Sequence, residues 1–356
     1  MKIVSIAARA EQFPLTRPYA IAYKTLDAVT NVIVEIRTDD GRVGLGAASP
    51  SSFVTAETVE ICATALAPSR IAFLFGRDVR TLPVLCRELE RRLPEAPAAR
   101  AALDMALHDL LAQELGLPLV EMLGRAHDAL PTSITIGLMG VDDTLAEARE
   151  YLERGFRCLK VKLGREIVED IARIVRLREA VGPIAAIRVD ANQGWTRADL
   201  ARFLRETSRA DVELIEQPLA ATDVDGLRSV PEPDRARLCA DEALRTPADA
   251  WALAHPPRAC GIFNIKLVKC GGIRPALRIA EIADLAGLSL MWGCMDESII
   301  SIAAALHAAL ACPATRYLDL DGSLDLARDV AAGGFILEDG IMRTTERSGL
   351  GVTVAE

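Results

Sequence analysis

From Leu130 onward, short apolar runs alternate with amphipathic helical patterns, and this alternation restricts the possible folds more than any other feature of the chain. Parallel strands need a crossover long enough to hold a helix, so repeated strand–helix–strand texture points to a parallel sheet. Strands are expected at 133–136, 158–163, 186–190, 213–216, 237–241, 262–266, 288–292 and 316–320. Helices fill most of the gaps, for example 166–181 and 273–286, with the weakest helical signal at 223–233. Eight strands in about 190 residues match the scale of a closed (β/α) barrel.

The flanking segments differ in texture. Residues 2–13 alternate weakly, and Val29–Ile36 followed by Asp39-Asp40-Gly41 and Val43-Gly44-Leu45-Gly46 predicts a hairpin. Helices are expected over 56–66, 82–93 and 98–115, the last stopped by Gly116 with Pro118 just beyond. Thr16–Thr25 is too long and too mixed for a tight turn, and a loop of that length is expected to be functional. Near the C-terminus, 335–338 and 341–343 flank Asp339-Gly340 and suggest a second hairpin that returns to the first domain. The barrel would then be inserted in an α+β unit.

Composition narrows the partners. A formal charge of −9 and a pI near 5.2 make nucleic acid a poor partner. No apolar run reaches the ~18 residues of a membrane span, the nearest being 299–312, which His307 interrupts. The eight cysteines form no Cys-x-x-Cys pair, and nothing at the N-terminus resembles a signal peptide. Reduced thiols and a cytoplasmic location are therefore expected. The expected partner is a small-molecule substrate, with neither nucleic acid nor membrane, and the chain is expected to form a homo-oligomer.

Five of the eight expected strands end on a charge just before loop residues: Lys162, Asp190, Glu216, Asp241 (with Glu242) and Lys266. Buried strands tolerate charge poorly, so charges recurring in phase at strand C-termini mark the active face of a barrel. Asp190, Glu216 and Asp241 fall on consecutive strands, and three neighbouring carboxylates need a cation. Oxygen ligands without thiolate or imidazole favour Mg²⁺, with Mn²⁺ as the alternative. Lys160 and Lys162 share a strand face, and mutual repulsion in a partly dry cavity lowers their pKa. Lys266 falls four strands away, across the barrel mouth. Two amines on opposite sides of a metal-held carboxylate can remove and return an α-proton through an enediolate, a 1,1-proton transfer.

Lys160-Val161-Lys162, Asp190-Ala191-Asn192-Gln193, Glu216-Gln217-Pro218, Asp241-Glu242 and Asn264-Ile265-Lys266 through Gly271-Gly272 resemble the enolase superfamily, muconate lactonizing enzyme subgroup. The resemblance covers essentially the whole chain. It implies an α/β fold, a modified (β/α)7β TIM barrel at 126–321 with an α+β capping domain built from residues 1–125 and the C-terminal segment 322–356. It also implies Mg²⁺ on Asp190, Glu216 and Asp241, acid/base roles for Lys162 and Lys266, and Lys160 as the neighbour that tunes Lys162 and meets the substrate carboxylate. None of His108, His127, His255 and His307 falls at a strand end, which argues against the branch with a His-Asp pair.

A narrower resemblance, to the dipeptide epimerases of this subgroup, comes at strand eight. Asp319 and Asp321 share a face there, and by that resemblance they hold the free α-ammonium of a dipeptide across the mouth from the metal. The strand-seven loop, with Met295, Asp296 and Glu297, would line the pocket together with Thr135, although Glu297 also suits the dipole of the following helix. The loop holding Lys24 would close over the substrate side chain. Lys24 permits an acidic side chain and Asp296 attracts a cationic one, so the two signals conflict. The expected activity is epimerisation at the C-terminal residue of an L,L-dipeptide. A cycloisomerase, o-succinylbenzoate synthase or N-acylamino acid racemase could use the same lysines and metal. A Schiff-base lysine or a non-catalytic scaffold are the remaining alternatives.

Overall fold

The computed structural model describes residues 1–21 and 24–354; the side chains of residues 19–21 and 24–26 lie outside the description. An antiparallel sheet opens the chain, with β1 (Ile3–Ile21), β2 (Lys24–Thr38) and β3 (Val43–Ala48) in that order. Of the loop expected over 16–25, the described residues lie instead on two paired strands, with Tyr19, Ala20 and Ile21 opposite Leu26, Thr25 and Lys24, while residues 22 and 23 lie outside the description. The register breaks between Pro14 and Tyr19. Pro14 and Pro18 donate no ladder bond, so the ladder is interrupted rather than ended. Five helices follow: α1 (Val59–Ala65), α2 (Pro68–Ile71), α3 (Leu82–Arg92), α4 (Pro97–Leu115) and α5 (Leu119–Leu123).

Helix α4 is buried almost all round from Ala98 to Ala112, as its run of alanines and leucines requires. One side packs on β3, where a side chain on Gly44 or Gly46 would collide with the carbonyls of Ala106 or Ala102. The opposite side meets the barrel.

After β4 (Leu130–Pro131), the strands alternate with helices: β5 (Ile134–Ile136), α6 (Val141–Glu153), β6 (Cys158–Lys162), α7 (Ile167–Val181), β7 (Ala186–Asp190), α8 (Arg197–Glu206) and β8 (Val212–Glu216). The weak 223–233 connection holds two short helices, α9 (Val224–Arg228) and α10 (Glu232–Arg235), before β9 (Leu238–Ala240). The series continues through α11 (Pro247–Ala254), β10 (Ile262–Ile265), α12 (Leu267–Cys270), α13 (Ile273–Leu285), β11 (Ser289–Gly293), α14 (Ile299–Leu310) and β12 (Thr315–Asp319). Strands β5 to β12 pair in parallel in chain order, and the ring closes where Thr132 bridges Leu318 and Ser133 N donates to Leu318 O at 3.0 Å. Among the described residues no helix follows β12, so the architecture is the expected (β/α)7β barrel with a separate N-terminal antiparallel sheet.

The C-terminal segment adds β13 (Ala331–Gly333), β14 (Phe335–Glu338), β15 (Ile341–Thr344) and β16 (Val352–Val354). The β14–β15 hairpin does not join the N-terminal sheet; it pairs with β4. The return to the N-terminal unit runs through Gly349 and Leu350. Leu119 N donates to Gly349 O, and Leu350 N to Asp109 Oδ1, both at 2.8 Å. Asp104 of α4 ties the two halves from within, because its Oδ1 accepts the first N–H of α13, from Ile273 at 2.6 Å. Cys86 and His108 crowd the same carboxylate, with His108 Nδ1 3.2 Å from Asp104 Oδ1 and 2.8 Å from the Asp104 backbone carbonyl, so this buried trio is hydrogen-bonded within the joint. No described helix is long and apolar enough to cross a membrane, and the eight cysteines form no disulfide.

Candidate active site

Parallel strands of one ring all end on the same rim, so side chains at their C-termini meet at one mouth. Lys162, Asp190 and Glu216 are the last residues of β6, β7 and β8, while Asp241 and Lys266 follow β9 and β10 directly. The register aligns Lys162 with Asp190 and Asp190 with Glu216. All three carboxylates are buried. Above them lies a cavity of about 460 Å³, lined by Lys160, Lys162, Lys266, Asp241, Glu242, Asn192, Thr135, Met295, Asp296, Asp319 and Asp321, and roofed by 28–30 and 49–54 of the N-terminal unit.

The lysines converge on the carboxylates. Lys160 Nζ lies 2.6 Å from Asp319 Oδ2, 2.7 Å from Glu216 Oε2 and 3.4 Å from Asp190 Oδ2. Lys162 Nζ donates to Asp190 Oδ2 at 2.7 Å, and Lys266 Nζ to Asp241 Oδ2 at 2.8 Å. Lys269, one turn beyond Lys266, donates to both Asp241 Oδ1 and the Asp241 carbonyl.

Burial pulls the ammonium of Lys160 down, but Asp319, Glu216 and Asp190 outweigh it and hold the pKa well above the ordinary value. Lys266 is likewise lowered by burial and raised further by Asp241 and Glu216. The lowered pKa expected from two like charges therefore does not hold at Lys160, because three carboxylates surround it. Burial raises the carboxyl of Glu216 to about 8, with Asp190 adding to the effect. At Asp190 burial raises and the two lysines of β6 lower, for a net fall.

The donor set fits a hard divalent cation. Asp190, Glu216 and Asp241 offer only oxygens on adjacent strands, and Glu216 Oε2, Glu242 Oε2 and Asn192 Oδ1 are buried without a directed hydrogen bond. Asn264, two residues before Lys266 on the same strand face, steadies Glu216 by donating to Oε1 at 2.7 Å.

Across the mouth, Asp319 and Asp321 have separate surroundings. Asp319 accepts from Ser133 Oγ at 2.6 Å as well as from Lys160, and it stays ionised, at about 2, because Lys160 overcomes its burial. Asp321 Oδ2 accepts from Thr135 N at 2.7 Å, and burial together with Asp319 and Asp325 pushes its carboxyl to about 7. The expected wide gap between Asp319 and the metal carboxylates is thus bridged by one side chain, Lys160.

Glu297 is not among the residues that line the cavity; its buried Oε1 accepts from Met295 N at 2.9 Å, holding the loop from behind. That loop is also tethered by Asn31 of β2, which accepts from Ser298 N at 2.9 Å. The side chain of Lys24 lies outside the described residues.

The cavity wall also holds residues that the sequence did not single out: Arg17, Glu57, Glu147, Tyr151 and Asp325. Burial, with Asp296 and Glu147 adding to it against Arg154 and Arg17, raises the carboxyl of Asp325 to about 6. Glu147 Oε2 is buried without a hydrogen bond. Nothing local marks Glu147 or Asp325, since one sits on an ordinary amphipathic helix and the other after the last barrel strand. Only closure of the ring brings them together.

Two family models account for nearly all of the chain: "Mandelate racemase / muconate lactonizing enzyme, N-terminal domain" over residues 3–124 and "Enolase C-terminal domain-like" over 143–356. An L-Lys-D/L-Arg epimerase from Methylococcus capsulatus is 64% identical over 352 residues, covering 99% of each chain. An L-Ala-D/L-Glu epimerase from Bacillus subtilis is 34% identical over 99% of this chain and 97% of its own. The crystal structure of the Methylococcus capsulatus dipeptide epimerase with Mg and the dipeptide L-Arg-D-Lys superimposes with a TM-score of 0.98, at 64% identity over the full length of both chains.

Proposed function

This chain belongs to the enolase superfamily, in its mandelate racemase/muconate lactonizing enzyme family, and from that membership and the mouth geometry we propose that it is a Mg²⁺-dependent dipeptide epimerase that prefers cationic side chains. The enzyme is an isomerase, inverting the α-carbon of the C-terminal residue of an L,L-dipeptide. The observation that carries the reaction is the placement of Lys162 and Lys266 at separate members of one carboxylate group, Asp190 and Asp241, both opening on one cavity.

Asp190, Glu216 and Asp241 are the residues that would hold Mg²⁺. When bound, the ion supplies positive charge that stabilises the enediolate form of the substrate carboxylate. Lys162 takes or returns the α-proton on one face of the carbon and Lys266 on the other. Lys160, fixed between Asp319 and Glu216, sets a positive charge beside the substrate carboxylate. Asp321 faces the cavity beside Asp319 and accepts the α-ammonium, whose three donors match carboxylate oxygens.

The cationic preference rests on the outer wall. Asp296 and Glu147 stand close enough to Asp325 to add to the effect of burial, and together these bring its carboxyl to about 6 in spite of Arg154 and Arg17. Three carboxylates that repel one another in a half-dry pocket are relieved by a Lys or Arg side chain. The similarity to an L-Lys-D/L-Arg epimerase supports the same choice.

Incubating the protein with L-Lys-L-Arg and Mg²⁺ in D₂O tests the reading. Deuterium is expected at the α-carbon of the C-terminal residue, together with L-Lys-D-Arg, and both are lost with EDTA. L-Ala-L-Glu is expected to react at least ~10-fold more slowly, since one methyl or charge mismatch in a pocket costs 1–3 kcal/mol. Absence of α-deuteration with every cationic dipeptide would sink the proposal.

A further inference from the structure

Behind the rim, on α7, lies a buried ion pair that touches neither the cavity nor the carboxylate group. Asp170 is 0% and Arg173 4% exposed, and Arg173 Nη2 donates to Asp170 Oδ1 at 2.6 Å. The other arm of the guanidinium, Nη1, donates to the backbone carbonyl of Lys162 at 3.2 Å. Asp170 Oδ2 accepts from Gly164 N at 2.8 Å and from the Trp195 indole at 2.9 Å. The turn after Lys162 is therefore gripped at two backbone atoms, the carbonyl of residue 162 and the N–H of residue 164.

The same turn is pressed from its other side. Leu163 N donates to Asp190 O at 2.8 Å, and Gly164, at φ +104°, lies so close to the Ala191 carbonyl that a Cβ would sit 2.2 Å from it. Taking two charges out of water is rarely worth its cost in stability alone, because apolar side chains of similar volume fill such space as well. What the pair provides here is direction. A planar fork joins one fixed carboxylate to one fixed carbonyl, which a single ammonium on a flexible stem cannot reproduce. Among the described residues Lys266 has no such fork at its back; its turn is held by Lys269, which binds the Asp241 and Asn264 carbonyls.

We infer that Arg173, itself oriented by Asp170, is a positioning residue for Lys162, setting the backbone from which that one base reaches the α-carbon. The inference rests on the two-base reading above and deepens it, since it assigns a residue to one face of the reaction only. A residue that merely stabilises the fold would slow both faces together.

The test follows α-proton exchange separately for L-Lys-L-Arg and L-Lys-D-Arg in D₂O with Mg²⁺. Lys162→Ala identifies the epimer whose proton Lys162 removes. Arg173→Lys keeps a charge opposite Asp170 and leaves the Asp170 bonds to Gly164 and Trp195 in place, but withdraws the second arm. It is expected to slow exchange of the Lys162-dependent epimer by ~10-fold or more and to change the other by less than ~2-fold, as expected when one reacting group is misplaced by a fraction of an ångström. Mg²⁺ affinity, read by calorimetry, is expected to stay unchanged. Should Arg173→Lys not fold, the double variant Asp170→Asn/Arg173→Met removes both charges at similar volume, with the same one-sided loss expected. Equal losses for the two epimers, loss confined to the other epimer, or no loss overturns the inference while leaving the two-base reading intact. A wild-type protein that exchanges neither epimer overturns both.

Discussion

Lys160 and Lys162, taken alone, are two like charges that depress each other's pKa; in the folded chain Lys160 is ringed by Asp319, Glu216 and Asp190 and raised well above its ordinary value. The sign changes because Coulomb attraction from three buried carboxylates exceeds repulsion from one ammonium and the cost of burial. The same contacts alter what a substitution at Asp319 would report. Since Asp319 holds Lys160, Asp319→Asn disturbs any reaction that uses this lysine, including that of a cycloisomerase. Asp321 is the cleaner probe, being 2.7 Å from a backbone N–H and bound to no lysine among the described side chains. Asp321→Asn is expected to lower kcat/KM for L-Lys-L-Arg by roughly 30-fold, the value of one charged hydrogen bond of about 2 kcal/mol. It should leave turnover of an N-succinyl amino acid, which lacks the α-ammonium, within ~3-fold. Steady-state kinetics on the two substrates decides it, and equal losses would remove Asp321 from ammonium binding.

At the scale of elements, His307 shows how a residue that interrupts an apolar helix is accommodated. It lies fully buried on α14, where Nδ1 accepts from Val120 N of α5 at 3.0 Å and Nε2 faces Leu350 O at 3.4 Å. Only the neutral ring with hydrogen on Nε2 meets both partners, and burial lowers the pKa to about 4. The unfolded chain binds a proton near pH 6.5 while the folded chain does not, so this residue's contribution is whole above pH 6.5. It is lost progressively as the pH falls toward 4. His307→Gln preserves one acceptor and one donor without the titration. Urea melts of both proteins are expected to agree near pH 8 and to diverge below pH 6.5, the variant becoming more stable by about 3 kcal/mol at pH 4. Parallel curves across that range would show that His307 does not titrate as a buried group. The sequence marked His307 as an interruption in a greasy segment, but α5 and the turn at Leu350, far away along the chain, decide what it binds.

For the whole molecule, the largest apolar cluster runs without a break from Ile3 through α4 and the barrel to Leu350. The N-terminal unit is therefore part of the barrel's packing as well as the roof of its cavity. A chain cut to residues 126–356 would expose the faces of α12, α13 and α14 that α4 and β3 cover. It would also leave the first N–H groups of α13 without Asp104. It is expected to be largely insoluble, or to bind a hydrophobic dye in its soluble fraction; a soluble, cooperatively melting fragment would contradict this.

Every barrel strand was legible because hydrophobic alternation and the strand–helix period are local properties. The phase of Lys162, Asp190, Glu216, Asp241 and Lys266 was legible too, because a strand end recurs once per βα unit. Hidden in the sequence were the pairing of β14–β15 with β4, the grip of Arg173 on Lys162, the bridge from Lys160 to Asp319, and the addition of Glu147 and Asp325 to Asp296 as one acidic wall. Sequence by itself determined which charged residues end the barrel strands, since that depends on period alone. Tertiary structure alone decided which of them touch, because closing the ring joins residues from 25 to 159 positions apart, and their charge states depend on those contacts.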